Sequence, residues 1–506
     1  MESDKAEEFI LRFLARPVSA GTLDRFLRAL HDFEGRESGP RVFKPPYLYW
    51  QENLDAGQKT AIEKHLTPTA KLAKSDLKIA CFRLAILMRL HPRHYPVLSQ
   101  ITKSIPAATV SNWPEHLLIE IGSVFRAVPD WQSLEAYCSR LLDILPTTSP
   151  NYAIVCDWLI LASFRLSRHG KMSAADAEAI DHFADVAHHV MTRVGQGSKN
   201  SHFYASLLAG RQRNLEQAVA SLLEAQCNQG KTIPLFQRLE NFVSPQTLSS
   251  SPGAELRALW ETLQYRYRHQ NAANSTVLLV SVDQKYFDRY LETFLSSVGQ
   301  WNRDLLVHIH CINFDPAEDE ILMLEKQSDV RINLSLDQRD AITGNGKLFP
   351  GYCAGSRFIF LPALLARYER IVSTDVDGVI VRSFAGLWED DKNTIHIVSK
   401  LPDRSWQPDG FLWETIAAGA FAITHSPANM VFANMVANYL AHQLEVCSKQ
   451  QYGMFYTDQV GLLLAYLRTQ DSCQFRTIPK LFDQGGDWRF AAEAGSKKRF
   501  QSASVF

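Results

Sequence analysis

The most constraining feature of this chain is a change in its hydrophobic pattern near residue 270. Before it, apolar residues recur at helical spacing and no strand is predicted. After Asn274, short β-rich apolar runs alternate with amphipathic segments, which predicts a mostly parallel sheet covered by helices on both faces. We therefore predict a multidomain protein, with an all-α domain over 1–270 and a Rossmann-like α/β domain over 271–506. The predicted helices of the first part include 113–127, 131–145, 151–168, 174–193 and 254–269.

The best-defined part of the helical half lies near residues 201–228. The segment 202–209 predicts a helix that Gly210 ends, and Asn214 with Gln217 three residues later predicts the capped start of a second helix. This pair resembles a tetratricopeptide-type repeat, without a regular period of about 34 residues. An α-solenoid and a plain helical bundle both fit the pattern.

The second half predicts strands at 276–282, 305–312 and 330–334 and helices at 287–298 and 318–327. In sheets of this type, ligands bind beyond the carboxyl ends of the strands. Residues at those ends are therefore the candidates for a functional site.

The composition limits the classes of partner and the cellular location that we expect. The net charge of −1 and the pI of about 7.0 give no global attraction to nucleic acid or to an anionic membrane. The charged N-terminus lacks a secretory signal, and no uncharged apolar stretch of 18 residues occurs. The eight cysteines include no CxxC pair. We expect a cytoplasmic protein with reduced cysteines, no transmembrane segment and no nucleic-acid partner.

Two carboxylates follow one apolar strand. The run Val372-Ser373-Thr374 leads into Asp375 and Asp377, and side chains two apart in an extended segment point the same way. Both carboxylates can therefore face one cation. Taken alone, the motif resembles the first motif of haloacid-dehalogenase-type phosphatases, in which the first aspartate attacks phosphorus and the second is the general acid.

A longer series of motifs surrounds this pair, in a fixed order along the chain. The series consists of Ser281-Val282-Asp283-Gln284-Lys285-Tyr286 at a strand end, Ser356-Arg357-Phe358 on a helix, the aspartate pair, the Ala-Gly strand 417–423 and Tyr456-Thr457-Asp458-Gln459. Over residues 275–500 it is similar to the nucleotide-sugar glycosyltransferases of the GT-A fold, in particular the glycogenin and galactosyltransferase-like group.

That resemblance implies roles for the matching residues at the donor. Asp377 would bind Mn²⁺ or Mg²⁺, and Asp375 would share the metal and reach the ribose. The base and ribose would lie against Val282, Asp283 and Tyr286.

The resemblance also implies contacts with the diphosphate and the sugar. Arg357 would contact phosphate or sugar, and Gly419 would lie beside the donor. Asp458 and Gln459 would contact the transferred sugar and act in a retaining transfer.

Two departures from the family pattern leave an alternative open. Relatives supply a histidine as third metal ligand, whereas the segment 482–488 has none, so Asp483 is our predicted third ligand. The family's asparagine before Ala-Gly is Ala417 here. A catalytically decayed transferase acting as a binding module therefore stays open. Downstream, Lys497 and Lys498 would close over the diphosphate.

General chemistry predicts roles for the helical domain and for several further residues. The helical domain is expected to present a protein or glycan acceptor, or to organise a homodimer. Trp406, Asp409 and Trp413 are candidates for a sugar-stacking surface, against a core role for the tryptophans. His308 and His310 have the spacing of a metal chelate on one strand, but an internal strand favours core histidines.

Overall fold

The structure is a computed structural model in which two compact units, Met1–Glu240 and Asn241–Phe506, are distinguished by their internal contacts. The predicted boundary at 270 stays a prediction. The residues that the structure describes are 81, 83, 84, 87, 96, 100, 113, 115–127, 130–149, 151–167, 174–195, 197–228, 242–269, 276–346, 348–380, 382–388, 394–399, 401, 411–450, 453–454 and 456–478.

The described part of the first unit is helical. Its helices are α1 (Glu115–Ala127), α2 (Trp131–Ile144), α3 (Tyr152–Leu166), α4 (Ala174–Val194), α5 (Lys199–Arg211) and α6 (Leu215–Cys227). Each helix packs against the next one in the chain. The predicted helices from 113 to 193 are confirmed within one or two residues at their ends. Sequential packing is common to solenoids and bundles, so the solenoid stays a prediction.

Side-chain caps explain where several of these helices begin. Asn214 accepts a hydrogen bond from the backbone N–H of Gln217 at 3.0 Å, as the sequence predicted. Gly210, by contrast, does not end α5. The helix continues to Arg211, whose buried guanidinium donates to the carbonyl of Phe164 at 2.6 Å. The turn is made by Arg213, whose φ is 63°.

The second unit alternates strands and helices. Its elements are α7 (Ala254–Glu261), β1 (Gln264–Arg266), β2 (Thr276–Asp283), α8 (Gln284–Tyr286), a π-helical turn (Phe287–Leu291), α9 (Glu292–Trp301), β3 (Leu306–Ile312), α10 (Glu318–Ser328), β4 (Arg331–Asp337), α11 (Asp340–Thr343), α12 (Leu348–Ile359), α13 (Leu361–Leu365), β5 (Arg370–Thr374), β6 (Thr394–Val398), β7 (Ala417–Thr424), α14 (Pro427–Gln450), α15 (Thr457–Thr469) and β8 (Gln474–Thr477). Short 3₁₀ turns lie at Pro245–Thr247, Ala385–Trp388 and Leu412–Glu414.

These strands form one mixed sheet in the order β1-β4-β3-β2-β5-β7-β6-β8. The four neighbours β4, β3, β2 and β5 are parallel, so their carboxyl ends lie along one edge. The strand β7 is antiparallel to both β5 and β6, and its first residues therefore lie at that same edge. All residues of β3 are buried, which requires cover on both faces of the sheet.

The segment 254–269 differs from its prediction as one helix. The helix α7 ends at Glu261, and Gln264 to Arg266 pair antiparallel with β4. Tyr265 and Tyr267 stack at 5.2 Å between ring centroids, and the Arg367 guanidinium lies 3.4 Å from the ring centroid of Tyr267. Aromatic residues at alternate positions favour an extended edge strand over a further helical turn.

One stretch among the described residues, Leu348–Leu365, is long and apolar enough to cross a membrane by length and composition, and 72% of it is buried inside the protein. It comprises α12 and α13 and includes Arg357. The absence of a transmembrane segment remains a prediction.

One side chain on α14 anchors the loop that precedes α7. Asn438 Oδ1 accepts from the Gly253 N–H at 2.8 Å, and its Nδ2 donates to the carbonyls of Ser249 and Ser251 at 3.0 and 2.8 Å. Because these hydrogen bonds are exposed or partly buried, we expect Asn438→Ala to lower the free energy of unfolding by about 0.5–1.5 kcal/mol. A denaturant titration checks this, with His442→Ala on the same helix as control. Equal midpoints for the two variants would contradict the anchoring role.

Candidate functional site

The site begins where β5 and β7 meet at the carboxyl edge of the parallel strands. Asp375 directly follows β5, and its backbone N–H donates to the carbonyl of Gly419 on β7 at 3.2 Å. A Cβ at position 419 would lie 3.2 Å from Asp375 Oδ2. Glycine therefore leaves that carboxylate oxygen open to a ligand. The side chain of Asp375 is 39% exposed.

Arg357 on α12 contacts both the residue that follows β5 and a residue of β7. Its Nη1 lies 2.5 Å from Asp375 Oδ1, and its Nη2 donates to the carbonyl of Ala418 at 2.8 Å. The guanidinium is almost fully buried. The planar fork of guanidinium donors suits a carboxylate and a carbonyl at fixed positions. The structure places the guanidinium of Arg357 on Asp375. The contact of Arg357 with a phosphate or a sugar stays a prediction.

Asp458 and Gln459 open α15 close to this ion pair. Tyr456, which precedes the helix, has φ 62°, a left-handed conformation that is uncommon for a non-glycine residue. Asp458 Oδ1 accepts from the N–H of Gln459 at 2.9 Å. The side-chain Oε1 of Gln459 is buried and accepts no hydrogen bond from the described residues.

The charge environment of Asp458 is unusual for a carboxyl group. Burial raises its pKa above the ordinary value, the Arg357 guanidinium lowers it, and the negative charge of Asp375 raises it further. Asp458, Asp375 and Arg357 therefore interact electrostatically although they lie on different elements. A carboxyl group with a raised pKa in such a setting is a candidate for acid or base chemistry.

The predicted nucleoside-binding residues lie at the end of β2. Asp283 Oδ1 accepts from the Tyr286 N–H at 2.8 Å, so this carboxylate caps the short helix α8. Val282 is buried. The ring of Tyr286 is half-buried and lies 5.0 Å from that of Tyr290. Since β2 and β5 are parallel neighbours, these residues share an edge with Asp375.

Of the remaining predicted residues, the structure describes some and leaves others outside its described part. Asp377 is half-buried two residues beyond Asp375. Asp483, Lys497, Lys498, Trp406 and Asp409 lie outside the described residues. Trp413 is buried and stacks on Phe411 with 4.7 Å between ring centroids, which agrees with a core role.

The histidine pair of β3 belongs to a buried hydrogen-bonded chain. His308 contacts the Tyr368 hydroxyl through Nδ1 at 2.9 Å and the Ser335 hydroxyl through Nε2 at 3.0 Å, and His310 Nδ1 contacts the same serine at 2.9 Å. His310 Nε2 lies 3.5 Å from Asp337 Oδ2. Burial lowers the pKa of His308 to about 3, so it is neutral. This agrees with core histidines rather than a chelate.

The sequence analysis did not predict the hydrogen-bond partners of these two histidines. Ser335 and Asp337 alternate along β4 in the same way as the histidines along β3, and β3 and β4 are in register with His310 beside Ser335. Polar residues at alternate positions of two neighbouring buried strands were the available signal.

The donor set at the strand edge suits a hard divalent cation. Arg357 holds Oδ1 of Asp375, whose side chain is partly exposed. Asp377 follows Asp375 by two residues at the same strand end and is half-buried like it. Carboxylate oxygens are preferred by Mg²⁺ and Mn²⁺. The residues present therefore fit such an ion.

No protein-family model and no curated protein matches this chain. Among solved structures, it is similar to the apo form of the glycosyltransferase GlyE of Streptococcus pneumoniae TIGR4, with 14% identity over 46% of this chain and 51% of that chain and a TM-score of 0.28. It is also similar to the apo structure of the bifunctional glycosyltransferase WbbM, with 14% identity over 47% of this chain and 45% of that chain and a TM-score of 0.29. The chain thus spans about half the length of these proteins.

Proposed function

We propose that the protein is a metal-dependent glycosyltransferase that moves a sugar from a nucleotide-diphosphate sugar to a protein or glycan acceptor with retention. The observation that carries the proposal is the Arg357–Asp375 ion pair beside Asp458, at the carboxyl ends of the parallel strands. This edge is where α/β sheets bind ligands. A cationic guanidinium, a carboxylate and a carboxyl group of raised pKa are groups that the transfer of a sugar from a nucleotide can use.

The chemistry of the donor explains this combination. Departure of a nucleoside diphosphate concentrates negative charge, and a divalent cation bound by Asp375 and Asp377 would stabilise it as a Lewis acid. Asp483 is the proposed third ligand, and Lys497 and Lys498 would contribute positive charge to the same diphosphate. Asp375 would contribute to holding the cation while Arg357 holds its Oδ1.

The protein groups orient the donor on both sides of that charge. Val282, Asp283 and Tyr286 would contact the base and ribose from the end of β2. The buried acceptor Oε1 of Gln459 would receive a hydrogen bond from a hydroxyl of the transferred sugar. Asp458 would face the anomeric carbon, where a carboxylate favours retention of configuration. A cytoplasmic location, a homodimer and acceptor binding by the helical unit belong to this proposal.

A screen of UDP- and GDP-sugars for hydrolysis, with Mn²⁺ and with a chelator, tests the proposal. We expect metal-dependent release of the nucleoside diphosphate from one donor class. If no donor is hydrolysed or bound with metal present, the decayed alternative replaces it. Ala417, which offers no side-chain hydrogen bond to a sugar, motivates that alternative.

The substitution Asp458→Asn should lower the activity without lowering the stability. The folded-state pKa of Asp458 is raised, so its ionisation costs folding free energy, and stability falls as the pH rises through the folded-state pKa. Asparagine keeps an oxygen for the Gln459 N–H without that charge. We expect an equal or higher melting temperature at pH 7 and a loss of hydrolysis of at least about 100-fold.

The pH dependence supplies the check on this variant. Between pH 4 and pH 8 the melting temperature should depend less on pH in Asp458→Asn than in the wild type, because the variant lacks the carboxyl group whose raised pKa makes stability fall as the pH rises. The control is Asp319→Asn on the exposed first turn of α10. Full activity in Asp458→Asn would exclude a catalytic role for this carboxyl group.

A further inference from the structure

Gly351 on α12 lies in direct contact with the turn that precedes α15. A Cβ built at position 351 would lie 2.7 Å from Met454 Cβ, 2.8 Å from its carbonyl carbon and 3.0 Å from its Cα. Ordinary van der Waals contacts of a Cβ begin at 3.4 Å, so an alanine would fit only if the backbone of Met454 withdrew. Glycine inside a helix is less favourable than alanine. This close approach of two backbones is what requires a glycine at position 351.

The turn at Met454 is tied to the first turn of α15. The carbonyl of Met454 accepts a hydrogen bond from the N–H of Thr457 at 3.2 Å. Tyr456 lies between them with its left-handed φ of 62°. The side chain of Met454 is buried. A displacement of Met454 would therefore be passed on to the residues that open α15, Asp458 and Gln459.

The same helix carries the guanidinium of the site. Arg357 follows Gly351 by six residues on α12, which is about 9 Å along a helix axis. Its Nη1 lies 2.5 Å from Asp375 Oδ1. One rigid helix therefore contacts both the carboxylate that follows β5 and the turn that precedes α15. The distance between Asp375 and Asp458 depends on both contacts.

We infer that Gly351 is a positioning residue of the transferase site, because it lets α12 hold the start of α15 where Asp458 and Gln459 meet the transferred sugar. The inference rests on the proposed function, since the sugar is the ligand that these two residues would contact. Gln459 Oε1 is buried and accepts no hydrogen bond from the described residues, so its contact with a sugar hydroxyl depends on where the helix begins. A misplacement of about 1 Å can cost about 100-fold in rate.

Gly351→Ala and Gly355→Ala form a matched pair on α12. A Cβ at position 355 would lie 3.7 and 4.0 Å from the two methyl carbons of Leu440, which is ordinary contact. In hydrogen–deuterium exchange of the full-length protein, the amides at the start of α15 should exchange at least about 10-fold faster in Gly351→Ala than in the wild type. Gly355→Ala should exchange like the wild type. Unchanged exchange in a folded Gly351→Ala overturns the inference.

If Gly351→Ala does not fold, exchange in the wild-type protein decides. The amides of Thr457 and Val460 donate to the carbonyls of Met454 and Tyr456. If α12 holds this turn, these amides should exchange at rates within about 10-fold of those in α12, because the turn then opens only together with that helix. Faster exchange than this at the start of α15 overturns the inference.

Ligand binding separates positioning from general damage to the fold. With Mn²⁺ present, calorimetry should show that Gly351→Ala binds UDP or GDP with wild-type affinity but the intact sugar nucleotide at least about 10-fold more weakly. Hydrolysis at saturating donor should fall by about 10- to 100-fold. Equal weakening of both ligands would indicate a structural role only and overturn the inference. If the wild type binds no sugar nucleotide, the proposed function fails, and the exchange measurement still decides whether α12 holds the start of α15 at Gly351.

Discussion

Asp377→Asn is expected to reduce metal-dependent hydrolysis of the sugar nucleotide by at least about 100-fold. Asparagine has the shape of aspartate but only one oxygen ligand and no negative charge. The cation would then be bound by Asp375 alone among the described carboxylates at this strand end. The loss should appear in the rate at saturating donor and in the affinity for Mn²⁺.

The same variant should leave the fold intact. Asp377 is half-buried after β5, and asparagine keeps its size and shape, so the circular dichroism spectrum should stay that of the wild type. Asp319→Asn makes the same chemical change on an exposed helix and should hydrolyse donor at the wild-type rate. Equal hydrolysis by Asp377→Asn would remove this residue from the metal site.

Arg357→Gln is expected to abolish donor hydrolysis and to lower the melting temperature of the second unit. The substitution removes the partner of Asp375 Oδ1 and the donor to the Ala418 carbonyl. A buried acceptor that loses its partner costs about 1–3 kcal/mol, and the 39% exposure of Asp375 places its share at the low end. For a unit of this size, the melting temperature should fall by roughly 5 °C.

Two further variants separate charge from shape at this position. Arg357→Lys keeps the positive charge but cannot bind a carboxylate and a carbonyl as one planar fork, so it should recover part of the stability and little of the activity. Arg303→Gln, whose side chain is 80% exposed, is the matched control for loss of an arginine. A wild-type melting temperature and activity in Arg357→Gln would show that the ion pair has no functional role.

Local patterns predicted much of the secondary structure because their causes are local. Asn214 caps α6 through the residue three positions later, and the apolar run before Asp375 forms β5 as expected. Parallel pairing of β2 with β5 then brings Asp283 and Asp375 to one edge. Both facts follow from spacing and strand direction.

Long-range pairings lay beyond that reasoning. The antiparallel insertion of β7 between β5 and β6 brings Gly419 to Asp375 across 44 positions of the chain (419 − 375). The interaction of Arg357 with Asp458 joins two helices. Similarly, β1 forms because β4 has a free edge beside it. Each depends on tertiary packing, which overrides local propensity.

Metal-dependent donor binding is tested most directly by calorimetric titration of the protein with a panel of UDP- and GDP-sugars, once with Mn²⁺ and once with a chelator. We predict that one donor class binds only when the cation is present, and that Asp377→Asn removes this binding. Metal-independent binding, or no binding of any donor, would rule out the proposed metal site. Hydrolysis of p-nitrophenyl phosphate with a phosphorylated Asp375 would establish the phosphatase alternative in its place.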